Sequence, residues 1–404
     1  MKKTMLATAL VIGFSSAAYA DSVTLYGLLD VGVGHQRSKV TQGDNRIENR
    51  STGMSNFNGL RHGNRWGLKG SEELGNGTKA VFVLESGFNL SDGKSLQGGR
   101  LFGRQAFVGL SSENWGTFSL GRQYTIAVET VGSRGPFNVG YSEAGHLFGA
   151  FGASVFARMD NSIKYMSPNL SGFKFGLGYA GDISKDEYDF DGSPKVETKD
   201  ASHWITAGAS YDNGPWSLGA SYDRFRTDVE TVSAKHKNTV HMWNLFGTYD
   251  FDVVKLDIGY GQVRGAVGNQ QGAAAAMGAS STGLNNLYTP FTAGMRSDGL
   301  RYTETGGYRQ QAWTLGVTVP VGEAGKFLAS YQGSITKNKD QGFDGAKSNL
   351  SIFSLGYEHS LSKRTVVYGV GSLGTGRMKF DDSAANPKAK LRTALLAIGI
   401  QHRF

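Results

Sequence analysis

From residue 21 to the end of the chain one pattern recurs: a bulky apolar residue, a polar or small one, then another bulky apolar residue. A period of two puts alternate side chains on opposite faces of an extended strand. In the first such segment Val23, Leu25, Leu29, Val31 and Val33 share one parity, and Thr24, Tyr26 and Asp30 share the other. The last segment does the same, with Ala394, Leu396, Ile398, Ile400 and Phe404 alternating with Thr393, Gln401 and Arg403. Each strand therefore has one oily face and one that is polar or small.

The pattern predicts sixteen strands, near 22–35, 63–74, 78–90, 100–112, 116–126, 158–168, 172–181, 202–213, 216–227, 238–251, 253–265, 308–321, 326–338, 348–361, 365–378 and 390–404. Short turns such as Gly75-Asn76-Gly77 and Gly214-Pro215 alternate with long polar connections. That is the rhythm of antiparallel strands crossing a layer with tight turns on one side and loops on the other. The strands have the roughly 9 to 11 residues that a tilted strand needs to cross a bilayer. Backbone groups in hydrocarbon must all be paired, and only closure removes the two open edges. The expected fold is all-β, a transmembrane antiparallel β-barrel of 16 strands occupying residues 21–404 as one domain.

Residues 1–20 stand apart. Lys2 and Lys3 precede an apolar stretch from Met5 to Phe14, and Ala18-Tyr19-Ala20 forms an A-x-A cleavage site. This reads as a signal peptide for export. Beyond it no apolar run approaches the ~18 residues of a spanning helix. The chain has no Cys, which removes disulfides, thiolate metal sites and cysteine nucleophiles together. With 42 Lys and Arg against 34 Asp and Glu the net charge is +8, yet the basic residues are spread over strands and loops and form no compact nucleic-acid patch. No H-E-x-x-H or G-x-S-x-G arrangement occurs, so nothing points to an enzyme or to a metal or other cofactor.

The segments Val23-Thr24-Leu25-Tyr26-Gly27, Arg65-Trp66-Gly67-Leu68-Lys69-Gly70-Ser71-Glu72, Gly103-Arg104-Gln105-Ala106-Phe107-Val108-Gly109-Leu110 and Arg158-Met159-Asp160-Asn161-Ser162-Ile163-Lys164-Tyr165, with the terminal Phe404, carry a resemblance. In this order and spacing the chain resembles the general porins of Gram-negative outer membranes, trimers of sixteen-stranded barrels. The resemblance implies a water-filled channel for passive diffusion of ions and small hydrophilic solutes. It also implies a third long loop, residues 127–157, folded into the pore, though the acidic Pro-Glu-Phe-Gly-Gly run common there is replaced by Gly135-Pro136-Phe137-Asn138. Phe404 looks like the signal read by the barrel insertion machinery.

Strand parity nominates the pore lining. With Trp66 and Leu68 facing out, Arg65 and Lys69 face the lumen. With Phe107 and Gln105 sharing the outer face, Arg104 faces in beside Ala106 and Val108. With Ile163 and Tyr165 out, Arg158, Asp160 and Lys164 face in. Arg65, Arg104 and Arg158 also match the basic cluster that similar porins hold opposite the third loop. Glu129 and Glu143 are that loop's carboxylates and the candidates for the facing negative side. Arginine keeps its charge at every relevant pH, and fixed positive charge in a narrow passage raises the local anion concentration. A moderate anion preference follows, with a substrate-specific channel for phosphate or an organic acid as the alternative.

Arg122 shares the parity of Phe118 and Leu120, the outer face, where a charge against lipid is costly. It is expected to meet a neighbouring subunit, with Asp92 of that subunit's second loop as partner, as the resemblance implies. The other expected partners are outer-membrane lipid and lipopolysaccharide.

Overall fold

The computed structural model describes residues 22–142, 158–188, 196–230, 235–265, 306–340, 346–379 and 388–404. The first third comprises β1 (Ser22–Gln42), β2 (Asn45–Gly53), β3 (Arg65–Gly75), β4 (Thr78–Gly87), β5 (Gln105–Ser112), β6 (Gly116–Tyr124) and one short helix, α1 (Ile126–Thr130). There follow β7 (Arg158–Met166), β8 (Phe173–Tyr188), β9 (Val196–Asn213), β10 (Trp216–Glu230), β11 (Lys235–Asp250) and β12 (Lys255–Arg264). The chain finishes with β13 (Tyr308–Val321), β14 (Gly325–Asn338), β15 (Lys347–Ser360), β16 (Thr365–Lys379) and β17 (Ala389–Arg403). All pairings are antiparallel: β1 pairs with β2, β3 and β17, and the strands from β3 to β17 pair each with the next, so the sheet closes.

Seventeen strands make sixteen staves. The lower part of β1, Ser22 to Leu28, pairs with β3, and its upper part, Gly34 to Gln42, pairs with β2. β2 therefore sits in line above β3 and extends the wall as a rim hairpin. This corrects one expectation: residues 36–62 are not a simple surface loop, because the alternation of β1 runs on through Ser38 and Val40. Likewise much of 182–201 is strand, since β8 and β9 stay paired up to Tyr188 and Val196.

The two parities separate as the sequence predicts. Leu25, Leu373 and Leu396 are 58%, 64% and 67% exposed on the outside. In water a continuous coat of this kind would drive aggregation; against hydrocarbon it is the stabilising solvent contact. Aromatic pairs mark the turn end of the coat, Trp216 with Tyr249 at 4.6 Å and Phe327 with Tyr357 at 4.9 Å, and Trp243 with Tyr260 at 5.5 Å lies toward the loop end. These are the girdles expected where a barrel meets the two interfaces.

At the seam Gly27 and Phe404 exchange both backbone hydrogen bonds at 3.1 Å. The Phe404 ring lies so close over Gly27 that a Cβ there would sit 2.1 Å from it, so any larger residue would push the ring aside. Phe404 thus has a closing role in the folded barrel.

Inside, two segments lie against the wall. Residues 54–64 turn inward from the rim: Gly32 donates to the Phe57 carbonyl and Gly59 to that of Asp30, and Phe57 and Leu60 bury fully beside Val370, Leu395 and Ala397. Residues 126–142 leave β6 and run round the inner surface. α1 packs on β8, β9 and β10, Pro136 reaches Gly316 on β13, and Phe137 reaches Gly356 on β15. Thr125 caps α1 by accepting from the Val128 N–H, and the Thr130 hydroxyl lies 3.2 Å from the Ala220 carbonyl of β10.

Candidate functional site

The basic cluster assembles on the wall formed by β1 and β3 to β7. Tyr26 has lumen parity, being flanked by outward Leu25, and donates its hydroxyl to Glu85 Oε2 at 3.0 Å. Glu85 Oε1 accepts from Arg104 Nε at 2.7 Å. Arg104 and Arg158 both donate to the hydroxyl oxygen of Tyr124, at 2.7 and 2.8 Å, and the Arg158 guanidinium stacks 4.5 Å from that ring. Arg65 is held by the Gly63 carbonyl at 3.0 Å, and Lys69 lies 5.5 Å over the Tyr26 ring. Arg65, Arg104, Arg158 and Lys69 thus lie together around Tyr26, Glu85 and Tyr124.

Arg104 arrives there for a different reason. The strand reading is inverted in β5: Val108 and Leu110 are 57% and 44% exposed and pair with outward Leu120 and Phe118, so Phe107 faces in. Arg104 precedes the first residue of β5 and reaches Glu85 from outside the regular ladder. Alternation does not govern a residue that has left the strand.

Glu85 and Tyr124 were not foreseen. In β4, Val81, Phe82, Val83 and Leu84 are all apolar. Such a run has no parity to read, and the inward direction of Glu85 stays hidden in it. Tyr124 is the last residue of β6, and the single signal it offered was its place before the long connection.

Asp160 does not line the pore. Pairing of β6 and β7 slips between Gly121 and Gln123, so Asp160 and Asn161 together oppose Arg122, and Asn161 takes a positive φ of 50°. This β-bulge turns Asp160 to the outer side. There it accepts from Arg122 Nη1 at 2.5 Å and from Arg100 Nη1 at 2.8 Å. Arg122 also donates to the Gly103 carbonyl at 2.8 Å. Arg122 is therefore already paired within its own chain, contrary to the expectation that it waits for Asp92. Asp92 accepts from the backbone N–H of Lys94 at 3.1 Å, and this bond first, then the Lys94 ammonium, holds its carboxyl below the usual carboxylate range.

The carboxylates assigned to the long loop divide. Glu129 accepts from Lys164 of β7 at 3.0 Å and is neutralised on the wall from which its own segment springs. Glu143 lies outside the described residues, as do residues 143–157 and the signal peptide. On the far wall Arg134 pairs with Asp212 at 3.1 Å. Arg61 makes a two-pronged pair with Glu358 at 2.9 and 2.8 Å and donates to Gln401 at 2.6 Å. Tyr141 donates its hydroxyl to the same Glu358 and its backbone N–H to the Leu60 carbonyl, joining the two inward segments. His62, in the connection between β2 and β3, is kept neutral by burial and then by Arg61, its pKa pushed down to about 3. Among the described residues no three His, Asp or Glu come together where a metal ion could be held.

A family model described as Gram-negative porin matches residues 7–377. An outer membrane porin protein of Bordetella pertussis is 36% identical over 414 aligned residues, covering 100% of both chains. Outer membrane porin protein 32 of Delftia acidovorans is 29% identical over 378 residues, 91% of this chain and 88% of that one. Among solved structures, an anion-selective porin from Comamonas acidovorans superposes with a TM-score of 0.62 at 24% identity, over 95% of this chain and 99% of that one. The trimer form of OmpT from Vibrio cholerae gives 0.57 at 16% identity, over 95% and 99%. Alternating strands, a closed sheet with an apolar coat, a charged inner wall and these matches converge: the chain belongs to the Gram-negative porins, passive channels of the outer membrane and not enzymes.

Proposed function

We propose that this porin admits ions and small hydrophilic solutes with a moderate preference for anions, and that the filter lies between the Arg65, Arg104 and Arg158 wall and the segment 127–157. The observation that carries the reading is the charge surplus on that wall. Three arginines and Lys69 face a single carboxylate, Glu85, while Tyr124 contributes hydrogen bonds but no charge. The inner surface there is partly screened from bulk water, so the surplus acts at less than water's dielectric and draws anions inward. The anion-selective porin from Comamonas acidovorans supports the same direction. Nothing in the cluster favours a dedicated site for one anion.

The test is the reversal potential of the reconstituted protein under a KCl gradient. A chloride-favouring potential is expected, falling toward zero or reversing when Arg65, Arg104 and Arg158 are all replaced by Gln. An unchanged potential would place the filter elsewhere.

The same reading makes the protein a homotrimer, with Arg122 near the subunit contact. In support, Arg122 is buried on the outer parity and its Nη2 has no partner within the chain, an arrangement that favours a further acceptor from a neighbour. The OmpT trimer form is one relative in fold. A native mass of three chains in mild detergent is expected, with Arg122→Ala shifting the population toward monomer. Phe404 is assigned a second role as the residue recognised by the insertion machinery.

A further inference from the structure

The segment that runs from α1 round the inner surface crosses the wall at three glycines. On β10 the Thr130 carbonyl and the Arg134 side chain lie over Gly219, on β13 the Pro136 ring lies over Gly316, and on β15 the Phe137 ring lies over Gly356. A Cβ at these positions would come within 2.2 Å of the Thr130 oxygen, 2.4 Å of Pro136 Cδ and 2.7 Å of Phe137 Cε1. The next inner-face positions along each strand do carry side chains: Ser217 and Ser221 on β10, Thr314 and Thr318 on β13, Ser354 and Glu358 on β15. A side chain is thus missing where the segment crosses and present on either side of the crossing.

Which side would yield to an added side chain follows from how each is held. Every one of these glycines sits in an unbroken ladder on both edges: Gly219 between Ser210 and Phe246, Gly316 between Asp257 and Ser330, Gly356 between Leu328 and Val370. Pushing such a strand outward would break its backbone bonds to two neighbours, and hydrocarbon offers no replacement partners. The groups above the glycines cannot step aside by turning a side chain. One is a backbone carbonyl of α1, one is a proline ring, and the Phe137 ring is buried edge-on against Tyr141 at 5.4 Å. The segment itself is fastened through side chains, Arg134 to Asp212 and Tyr141 to Glu358, and these can re-aim. It is therefore the segment that would rise. Carbon atoms pack at about 3.5 to 4.0 Å, so a methyl group at Gly316 or Gly356 would lift it by roughly 1 Å toward the barrel axis.

We infer that Gly219, Gly316 and Gly356 are size-determining residues of this channel. By leaving the wall bare they let residues 130–137 lie flat against it. They thereby set how far the segment stands into the passage and how large a solute gets through. This rests on the passage running beside residues 127–157, as proposed above, and adds to the charge filter a second determinant on other strands. Arg65, Arg104 and Arg158 act on the sign of a solute; the three glycines carry no charge and act on its girth.

The test measures single-channel conductance, and the largest neutral polyethylene glycol that enters the pore, for the reconstituted full-length barrel carrying Gly219→Ala, Gly316→Ala or Gly356→Ala. Gly371→Ala, on the outer parity and with nothing nearer to its Cβ than 3.6 Å, is the control and should match the parent. For a lift of about 1 Å each of the three variants should lose conductance on the order of tens of per cent and admit only a smaller polymer. The chloride-to-potassium ratio should stay nearly constant. Pro136→Ala removes the ring atoms that the new methyl would meet, so Gly316→Ala/Pro136→Ala should recover most of the lost conductance, which a merely weakened barrel would not do. The inference is overturned if the folded variants conduct and exclude as the parent does, if they conduct more, or if Pro136→Ala fails to rescue Gly316→Ala. Should Gly316→Ala not fold, Gly219→Ala and Gly356→Ala decide in the same way. The reversal potential keeps the two readings apart: if it ignores the arginine substitutions while the size effect holds, the charge filter fails and the glycines stand, and the converse removes this inference alone.

Discussion

The two sides of the inner wall use the same residue types to opposite ends. On the far side these cations are paired with carboxylates: Arg61 and Lys326 share Glu358, and Arg134 takes Asp212. On the near side Arg65, Arg104, Arg158 and Lys69 have only Glu85 among them. The paired side also holds the buried apolar patch of Phe57, Leu60, Phe137 and Tyr141. One wall spends its charges on holding two inward segments, and the other keeps a surplus of positive charge with a single carboxylate against it. Counting arginines along a sequence cannot separate these uses; the presence or absence of a countercharge does.

The largest effect expected is on the surplus side. Replacing Arg65, Arg104 and Arg158 together by Gln should lower the chloride-to-potassium permeability ratio several-fold, read from the reversal potential, with little loss of folding yield. If the contrast between the walls holds, replacing Arg61 should do the reverse. Arg61→Met strands a buried carboxylate that keeps only Lys326 and Tyr141, and removing one partner of a buried pair costs about 3 kcal/mol or more. The expected outcome is an earlier unfolding transition and noisier single-channel current, with selectivity nearly unchanged. Adding Glu358→Leu should recover much of the lost stability.

Smaller effects sharpen the picture. Glu85→Gln removes the near wall's one countercharge and should raise anion preference about twofold by the loss of a single nearby charge. Should that preference fall instead, Glu85 organises the cluster more than it offsets it. Tyr124→Phe deletes an acceptor shared by two guanidinium groups, a loss of roughly 1.5 to 3 kcal/mol for hydrogen bonds to charged donors, so it should broaden the current levels more than it moves the reversal potential.

The smallest channel effect belongs to His62. Its folded pKa of about 3 lies below its ordinary value, so between those two pH values the unfolded chain binds the proton and the folded one does not. Stability should therefore fall as pH drops from about 6.5 toward 3, and His62→Gln should flatten that slope in detergent unfolding curves. Conductance between pH 6 and 8 should be indifferent to the substitution, because the ring is neutral throughout.

What could be read beforehand followed regularity. Long alternating strands such as β13 and β17 announce both their limits and their outer faces, because one lipid-facing parity must be apolar over the whole crossing. Departures from regularity are silent in the same pattern. The bulge that swings Asp160 outward depends on one extra residue in β7 and leaves no mark in the run Arg158 to Tyr165. Residues 54–64 turn inward on two apolar side chains, Phe57 and Leu60, in a stretch that otherwise reads as a polar loop. For Arg104 the alternation was no guide, because β5 has the opposite parity to the one read and the residue reaches Glu85 from before the strand begins.

The course of residues 126–142 carries a mechanical consequence. A hollow cylinder of sheet is soft against flattening, since its hydrogen-bonded staves can hinge along their seams. This segment is rooted at β6, tied to β9 through Arg134 and Asp212, and fastened to β15 through Tyr141 and Glu358. It works as a cross-brace: any squeeze toward an elliptical section would have to stretch or shear those fastenings. Lateral pressure from a crowded membrane is then resisted by that strap of chain, and the barrel's cross-section is insulated from the tension around it.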